Sequence, residues 1–158
     1  MFRVQSDPEF SILATGVTSP EYVATGLTFG LTYEFKVQAR NSYSYSLDSD
    51  VLALLCAFKP EAPLTVTTSN QGSQVSVTWD EPVNNGYVVD SYRFFVRESD
   101  GTTFTEETVD CVGTNSDVVA NRECFLNLST LQVAPYNLVQ GDSIWLKVVS
   151  RNTYGESL

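Results

Sequence analysis

The feature that most limits what this chain can fold into is a stretch that it writes twice. Tyr33-Glu-Phe-Lys-Val-Gln-Ala-Arg-Asn-Ser-Tyr-Ser-Tyr-Ser46 returns as Ile144-Trp-Leu-Lys-Val-Val-Ser-Arg-Asn-Thr-Tyr-Gly-Glu-Ser157. Lys36, Val37, Arg40, Asn41, Tyr43 and Ser46 fall on Lys147, Val148, Arg151, Asn152, Tyr154 and Ser157 without a gap, and upstream Leu27 and Gly30 fall on Leu138 and Gly141. Each copy alternates. Tyr33, Phe35, Val37 and Ala39 point one way, and Glu34, Lys36, Gln38 and Arg40 the other; in the second copy Ile144, Leu146 and Val148 take the inner face. A period of two means a strand with one face in a core. The Asn that follows, in a Ser/Tyr/Gly run, ends the strand in a turn. A unit of about 100 residues is therefore repeated, which sets the architecture before anything else is read.

Two such units cannot both be complete in 158 residues, so the chain is expected to hold one nearly whole unit and part of another. Nine Phe, eight Tyr and two Trp are enough to fill a sandwich core. The net charge of −10 argues against nucleic acid and anionic membrane surfaces, since both need basic patches. The absence of histidine removes the commonest general base and metal ligand, and leaves carboxylate catalysis and calcium open. The longest apolar run, Val51-Leu-Ala-Leu-Leu-Cys-Ala-Phe58, is far short of the roughly 20 residues of a membrane span. Met1-Phe-Arg-Val lacks the apolar run and cleavage site of a signal peptide. It reads as the middle of a strand, so the chain is expected to be an excerpt of something longer.

Residues 1–59 predict strands and no helix: Phe2 to Gln5, a hairpin turn at Asp7-Pro8, a strand around Phe10, a loop from Gly16 to Pro20, a short strand at Glu21-Tyr-Val-Ala-Thr25, and then the repeated strand. Val51 to Phe58 is apolar on both faces, which predicts a strand covered on both sides or at a domain junction. Lys59-Pro-Glu-Ala-Pro63 marks the boundary, because two prolines stop a strand and stiffen a short link. From residue 60 the second unit predicts strands at Leu64–Thr68, Gln74–Trp79, Tyr92–Glu98, Thr103–Val109, Cys124–Leu128 and Ile144–Ser150, with a polar loop from Cys111 to Arg122 and a longer connection from Leu131 to Gly141. Many short strands at such spacing indicate an all-β sandwich.

Pro63 before the first of these strands, Trp79-Asp-Glu-Pro82 closing the second, Tyr92-Arg on the third, and Leu-Xaa-Xaa-Gly leading into a strand that ends Arg-Asn together resemble a fibronectin type III domain. The resemblance implies tandem immunoglobulin-like β-sandwiches. Residues 1–59 would hold strands C to G, lacking A and B, and residues 60–158 would hold A to F, lacking G. Both sandwiches are then incomplete, and the missing strands are either cut away or supplied by a neighbouring chain. The family's tyrosine corner falls on Tyr33; in the second unit the position is Ile144, so that bond is expected to be absent there. The stretch from Cys111 through Cys124 to Ile144 is also similar to long tandem-repeat surface proteins of single-celled eukaryotes.

That setting implies a disulfide between Cys111 and Cys124, the alternative being two buried thiols of a cytosolic domain. Cys56 is left over, as a small core residue or as a thiol for an intermolecular bridge. Asn127-Leu-Ser129 is an N-glycosylation sequon. Trp79 is expected as the core plug. Trp145 is flanked by inward-facing Ile144 and Leu146, so it faces out, either to contact a partner or to pack on an adjacent unit or linker. No arginine ladder is evident beyond Arg40. Acidic pairs at Asp48/Asp50, Asp80/Glu81 and Glu106/Glu107 lack the spacing of a calcium loop and read as surface charge. No catalytic constellation, metal set or cofactor motif is found. The expected role is a structural repeat module of an extracellular or cell-surface fibrous protein, with adjacent domains or copies as partners and glycans possible. The alternative is an adhesion or receptor module binding a protein or glycan through its loops or Trp145.

Overall fold

The computed structural model describes residues 1–158. Its elements are β1 (Phe2–Val4), β2 (Thr32–Phe35), β3 (Leu52–Leu55), β4 (Val66–Asn70), β5 (Gln74–Trp79), β6 (Ser91–Arg97), β7 (Phe104–Glu107), α1 (Ser116–Asn121), β8 (Glu123–Asn127), α2 (Leu128–Leu131), β9 (Leu146–Asn152) and β10 (Gly155–Glu156). The chain divides into two compact units, Met1–Ala57 and Phe58–Leu158.

The second unit is a sandwich of two antiparallel sheets. One has the order β4-β5-β8 and the other β10-β9-β6-β7. The alternation of β5 sends Val75, Val77 and Trp79 inward, where they join Tyr92, Phe94, Val96, Leu126 and Val148 in one core. Trp79 is the plug: its ring meets Tyr92 and Phe94 edge-to-face, with centroids 5.0 and 5.1 Å apart. Each large side chain buried here contributes about 1.5–3 kcal/mol relative to an exposed one. Gly113 lies against β6 beyond the end of its pairing with β7, accepting a hydrogen bond from Tyr92 N–H. A Cβ at Gly113 would sit 1.7 Å from the Tyr92 carbonyl oxygen, so only glycine fits.

Three features differ from the sequence expectation. A seventh strand begins where none was expected: β10 pairs with β9 through Gly155↔Asn152 and Glu156↔Arg151. The Asn152 carboxamide makes that turn, its Oδ1 accepting from Tyr154 N–H. The expected polar loop contains α1, nucleated by Asn115, whose side chain accepts from Asp117 N–H, and stopped by Arg122 in the left-handed region. The connection after β8 starts with the single turn α2.

Asn41 makes the same turn in the first copy, and the buried Asn152 has a further role of its own. Its Nδ2 donates to the carbonyl of Phe58 at 2.9 Å, and Ser150 Oγ donates to the carbonyl of Glu61. Phe58 N–H and Glu61 N–H in turn donate to the carbonyls of Asn85 and Val83. Residues 58–61 are therefore built into the second unit and are not a free tether.

In the first unit β1-β2-β3 form a single sheet, with Phe2↔Phe35 and Tyr33↔Leu54 in register. Tyr33 is its one buried hydrophobic residue, and its hydroxyl accepts from Thr28 N–H at 3.0 Å, the tyrosine corner. Two expectations are corrected here. Glu21–Thr25 forms no strand, because no neighbouring strand takes its backbone hydrogen bonds. The run Val51 to Phe58, expected to be covered on both sides or at a domain junction, reaches the boundary between the units and is not covered: Leu52 and Leu54 on β3 are 57% and 53% exposed. They lie on the face that carries Tyr33, and that face has no opposing sheet.

Candidate interaction surface

The two faces of the sheet containing β6 and β9 differ because period two separates their side chains. Tyr92, Phe94, Val96 and Val148 go to the core; Arg93, Phe95, Arg97 and Lys147 go to the outer face. Strand pairing sets them in rows. Arg97 lies between Phe104 on β7 and Trp145, whose carbonyl accepts from Arg97 N–H at 2.9 Å; Phe95 lies between Glu106 and Lys147.

Cations sit on rings along this face. The Arg97 guanidinium lies 4.6 Å from the Trp145 ring centroid, Lys147 Nζ 4.0 Å from that of Phe104, and the Arg93 guanidinium 4.9 Å from that of Phe95. Each such contact contributes about 0.5–1 kcal/mol at an exposed site. A ladder is therefore present where none was expected beyond Arg40. Its rungs come from the β6–β7 hairpin and from the sequence-distant β9 with Trp145 before it, so no short motif announces it. The first unit has the same device in part: Arg3 and Lys36 lie 4.4 and 4.2 Å from the Phe10 ring, and Arg40 lies 5.2 Å from Tyr45.

The ladder has a neutralised half and an open half. Arg93 donates two hydrogen bonds to Glu106, both at 2.7 Å, and one to Glu156 at 2.9 Å. These bonds push the Arg93 pKa up, and the bond from Arg93 holds Glu106 below the usual carboxylate range. Arg97 and Lys147 have no carboxylate within ion-pair distance. Trp145, beside Arg97, is 55% exposed.

The other candidate residues lie elsewhere. Cys111 and Cys124 are joined in a disulfide, with Cα atoms 5.5 Å apart. Buried Glu107 organises the turn before it, accepting from the N–H groups of Val109, Asp110 and Cys111 at 2.7–2.9 Å. Asn127 is engaged at both ends of its side chain, with Nδ2 donating to Asp110 at 2.6 Å and Oδ1 accepting from Gln74 at 2.9 Å. Its carboxamide thus has a structural role at the end of β8, independent of any glycan. Cys56 is a half-buried free thiol at the end of β3. The acidic pairs do not converge: Asp48 binds Lys36, Glu106 binds Arg93, and Glu81 lies 3.8 Å from Arg122. A shallow depression lined by Asp90, Ser91, Thr114 and Arg151–Gly155 lies at the opposite end of β9 from Trp145.

No protein-family model matches the chain. Over 88 residues, 55% of its length, it is 38% identical to a Kelch domain-containing protein, SSO1033, of Saccharolobus solfataricus, and it spans 12% of that protein. Among solved structures, domains A168-A170 from titin align with a TM-score of 0.50 at 18% identity, over 82% of this chain and 37% of that one. A two fibronectin type III domain segment from chicken tenascin aligns at 0.47 and 20% identity, over 82% and 61%. The FN1-FN3 domains of chicken CNTN1 align at 0.48 and 16%, over 84% and 41%. At such identities the likeness concerns the fold alone. The fold is all-β and fibronectin type III-like, with β4-β5-β8 packed on β10-β9-β6-β7 in the second unit and a tyrosine corner in the first.

Proposed function

We propose that the chain is a structural repeat module of an extracellular or cell-surface fibrous protein. The observation that carries this reading is the incorporation of residues 58–61 into the second unit through Asn152 and Ser150. A repeat whose link is hydrogen-bonded into the following sandwich has little slack to act as a hinge, which suits a stiff array. The Cys111–Cys124 bridge supports an oxidising compartment. The role is mechanical and non-catalytic, with neighbouring domains or copies as partners. Electron microscopy of the native material tests it: extended filaments or rods are expected, and isolated compact monomers would overturn it.

A second reading, an adhesion module, is favoured by the exposure of Trp145 beside two cations without counter-ions. Trp145→Ala abolishing attachment while leaving the fold intact supports it. Unchanged attachment removes Trp145 from it, and no attachment by the unsubstituted chain removes the reading.

A further inference from the structure

We propose that the outer sheet face around Arg97, Lys147 and Trp145 is a docking surface for an acidic polysaccharide. Its carboxylates pair with Arg97 and Lys147, and one sugar ring stacks on Trp145. The proposal rests on the adhesion reading and names its ligand class; the fibrous reading stands or falls separately.

The first reason is charge. The chain carries 19 acidic and 9 basic residues, and Arg97 and Lys147 are two cations that none of those carboxylates pairs. Arg93, on the same face, is paired by Glu106 and Glu156. Arg97 and Lys147, on adjacent strands, are paired by nothing, and their charge is available to an outside anion.

The second reason is orientation. A guanidinium resting on an aromatic ring keeps its N–H edge free for a two-pronged bond to a carboxylate. Arg97 rests on Trp145 in this way, and Lys147 Nζ is held over Phe104. Neither cation has to be ordered at the moment of binding, which lowers the entropic cost.

The third reason is shape. Neighbouring strands are about 4.8 Å apart, so the row Phe104–Arg97–Trp145 runs about 10 Å, roughly the length of a disaccharide. Peptides are usually held in a groove or along a sheet edge. The β7 edge is already met by Tyr136, whose hydroxyl donates to the Glu106 carbonyl. A flat row of cations and a half-exposed indole suits a sugar chain, whose ring faces are apolar and whose carboxylates project from the rim. Phosphate polymers need a continuous basic track, which two cations on a chain of net charge −10 do not make.

Tryptophan fluorescence reads the test directly, because the chain has two tryptophans: Trp79 in the core and Trp145 on this face. The probe is tetragalacturonate, titrated into the intact 158-residue chain at low salt. A saturable change in Trp145 emission is expected, suppressed at about 0.5 M salt by screening. Arg97→Ser and Lys147→Ser should each weaken binding about ten-fold or more, the value of a charge-assisted hydrogen bond. Trp145→Ala, followed by calorimetry, should weaken it as well. Arg151→Ser, which removes an exposed cation at the far end of β9, should leave it unchanged. The uncharged galactose tetramer should not bind. Binding that survives Arg97→Ser and Lys147→Ser, or that falls equally with Arg151→Ser, overturns the proposal. Binding of poly-glutamate but not tetragalacturonate also overturns it, while leaving adhesion to a protein standing. Binding of neither removes this proposal and leaves the adhesion reading to the attachment test of Trp145→Ala.

Discussion

Asn152 was legible as a repeated residue but not as a buried one. The Arg-Asn pair in both copies marks a strand end; that the second Asn turns inward and ties Phe58 to the β9–β10 turn depends on a loop 65 or more positions away. Its counterpart Asn41 stays exposed and bonds only its own turn, accepting from Tyr43 and Ser44. Asn152→Ala should therefore cost about 1–3 kcal/mol in urea unfolding of the second unit, since it strands buried carbonyls. Gly113 had no signal at all, because its φ is ordinary and the constraint is the Tyr92 carbonyl beside it. Gly113→Ala should destabilise by about 3 kcal/mol or more, because backbone and not a flexible side chain must move. Two tyrosines and two carboxylates have shifted pKa values that link stability to pH. Burial, aided by Glu107, Asp110, Glu106 and Glu98, pushes Tyr136 up to about 12 from 10.0, and burial also raises Tyr92. A raised pKa gives stability that is intact below the unfolded value and lost as pH climbs through the folded one, so unfolding should become easier between pH 10 and 12. Glu106 is held low by Arg93, and exposed Asp100 is held at about 2 by Thr103 and Thr102. Their contribution is complete above the ordinary carboxylate values and is lost on acidification, so melting temperature should fall as pH drops from about 4.5 towards 2.

At the scale of elements, the strands of the second unit were readable because period two is a strong signal over five to seven residues. β5 occupies the segment expected, Gln74–Trp79, and β6 and β8 are each displaced by one residue. The helices were not readable. α1 has six residues and α2 four, too few for a 3.6-residue pattern to repeat, and α1 depends on its cap at Asn115. The ladder was hidden for a different reason. Alternation tells which residues share a face, but the row Phe104–Arg97–Trp145 needs the order β9-β6-β7 as well. The Cys111–Cys124 bridge encloses α1, so it constrains a segment with little core of its own. The double variant Cys111→Ser/Cys124→Ser should lose about 3 kcal/mol in the chain-entropy picture, measured by urea unfolding under non-reducing conditions. The β5–β6 core should survive that loss, so a folded but less stable protein is the expected outcome. A fully unfolded variant at 25 °C would mean that the bridge, and not the core, holds the sandwich.

At the scale of the whole molecule the two units differ in how their cores are made. The second packs Val77, Phe94, Val96 and Leu126 out of water between two sheets. The first presents Leu52 and Leu54 to solvent on a single sheet and buries Tyr33 alone among its hydrophobic residues. Stability follows buried apolar area, so the units should open independently and at very different cost. A chain that adds a second sheet over Leu54 and Tyr33 should protect the first unit, and one that does not should leave it labile. Backbone amide exchange at neutral pH, resolved by residue, measures this most directly. Amides of β5, β6, β8 and β9 should exchange together, at least about a thousand-fold more slowly than those of β1, β2 and β3, as expected for global against local opening. Equal protection in β1–β3 and β5–β9, or rapid exchange throughout β5–β9, would contradict a closed sandwich beside an open-faced sheet.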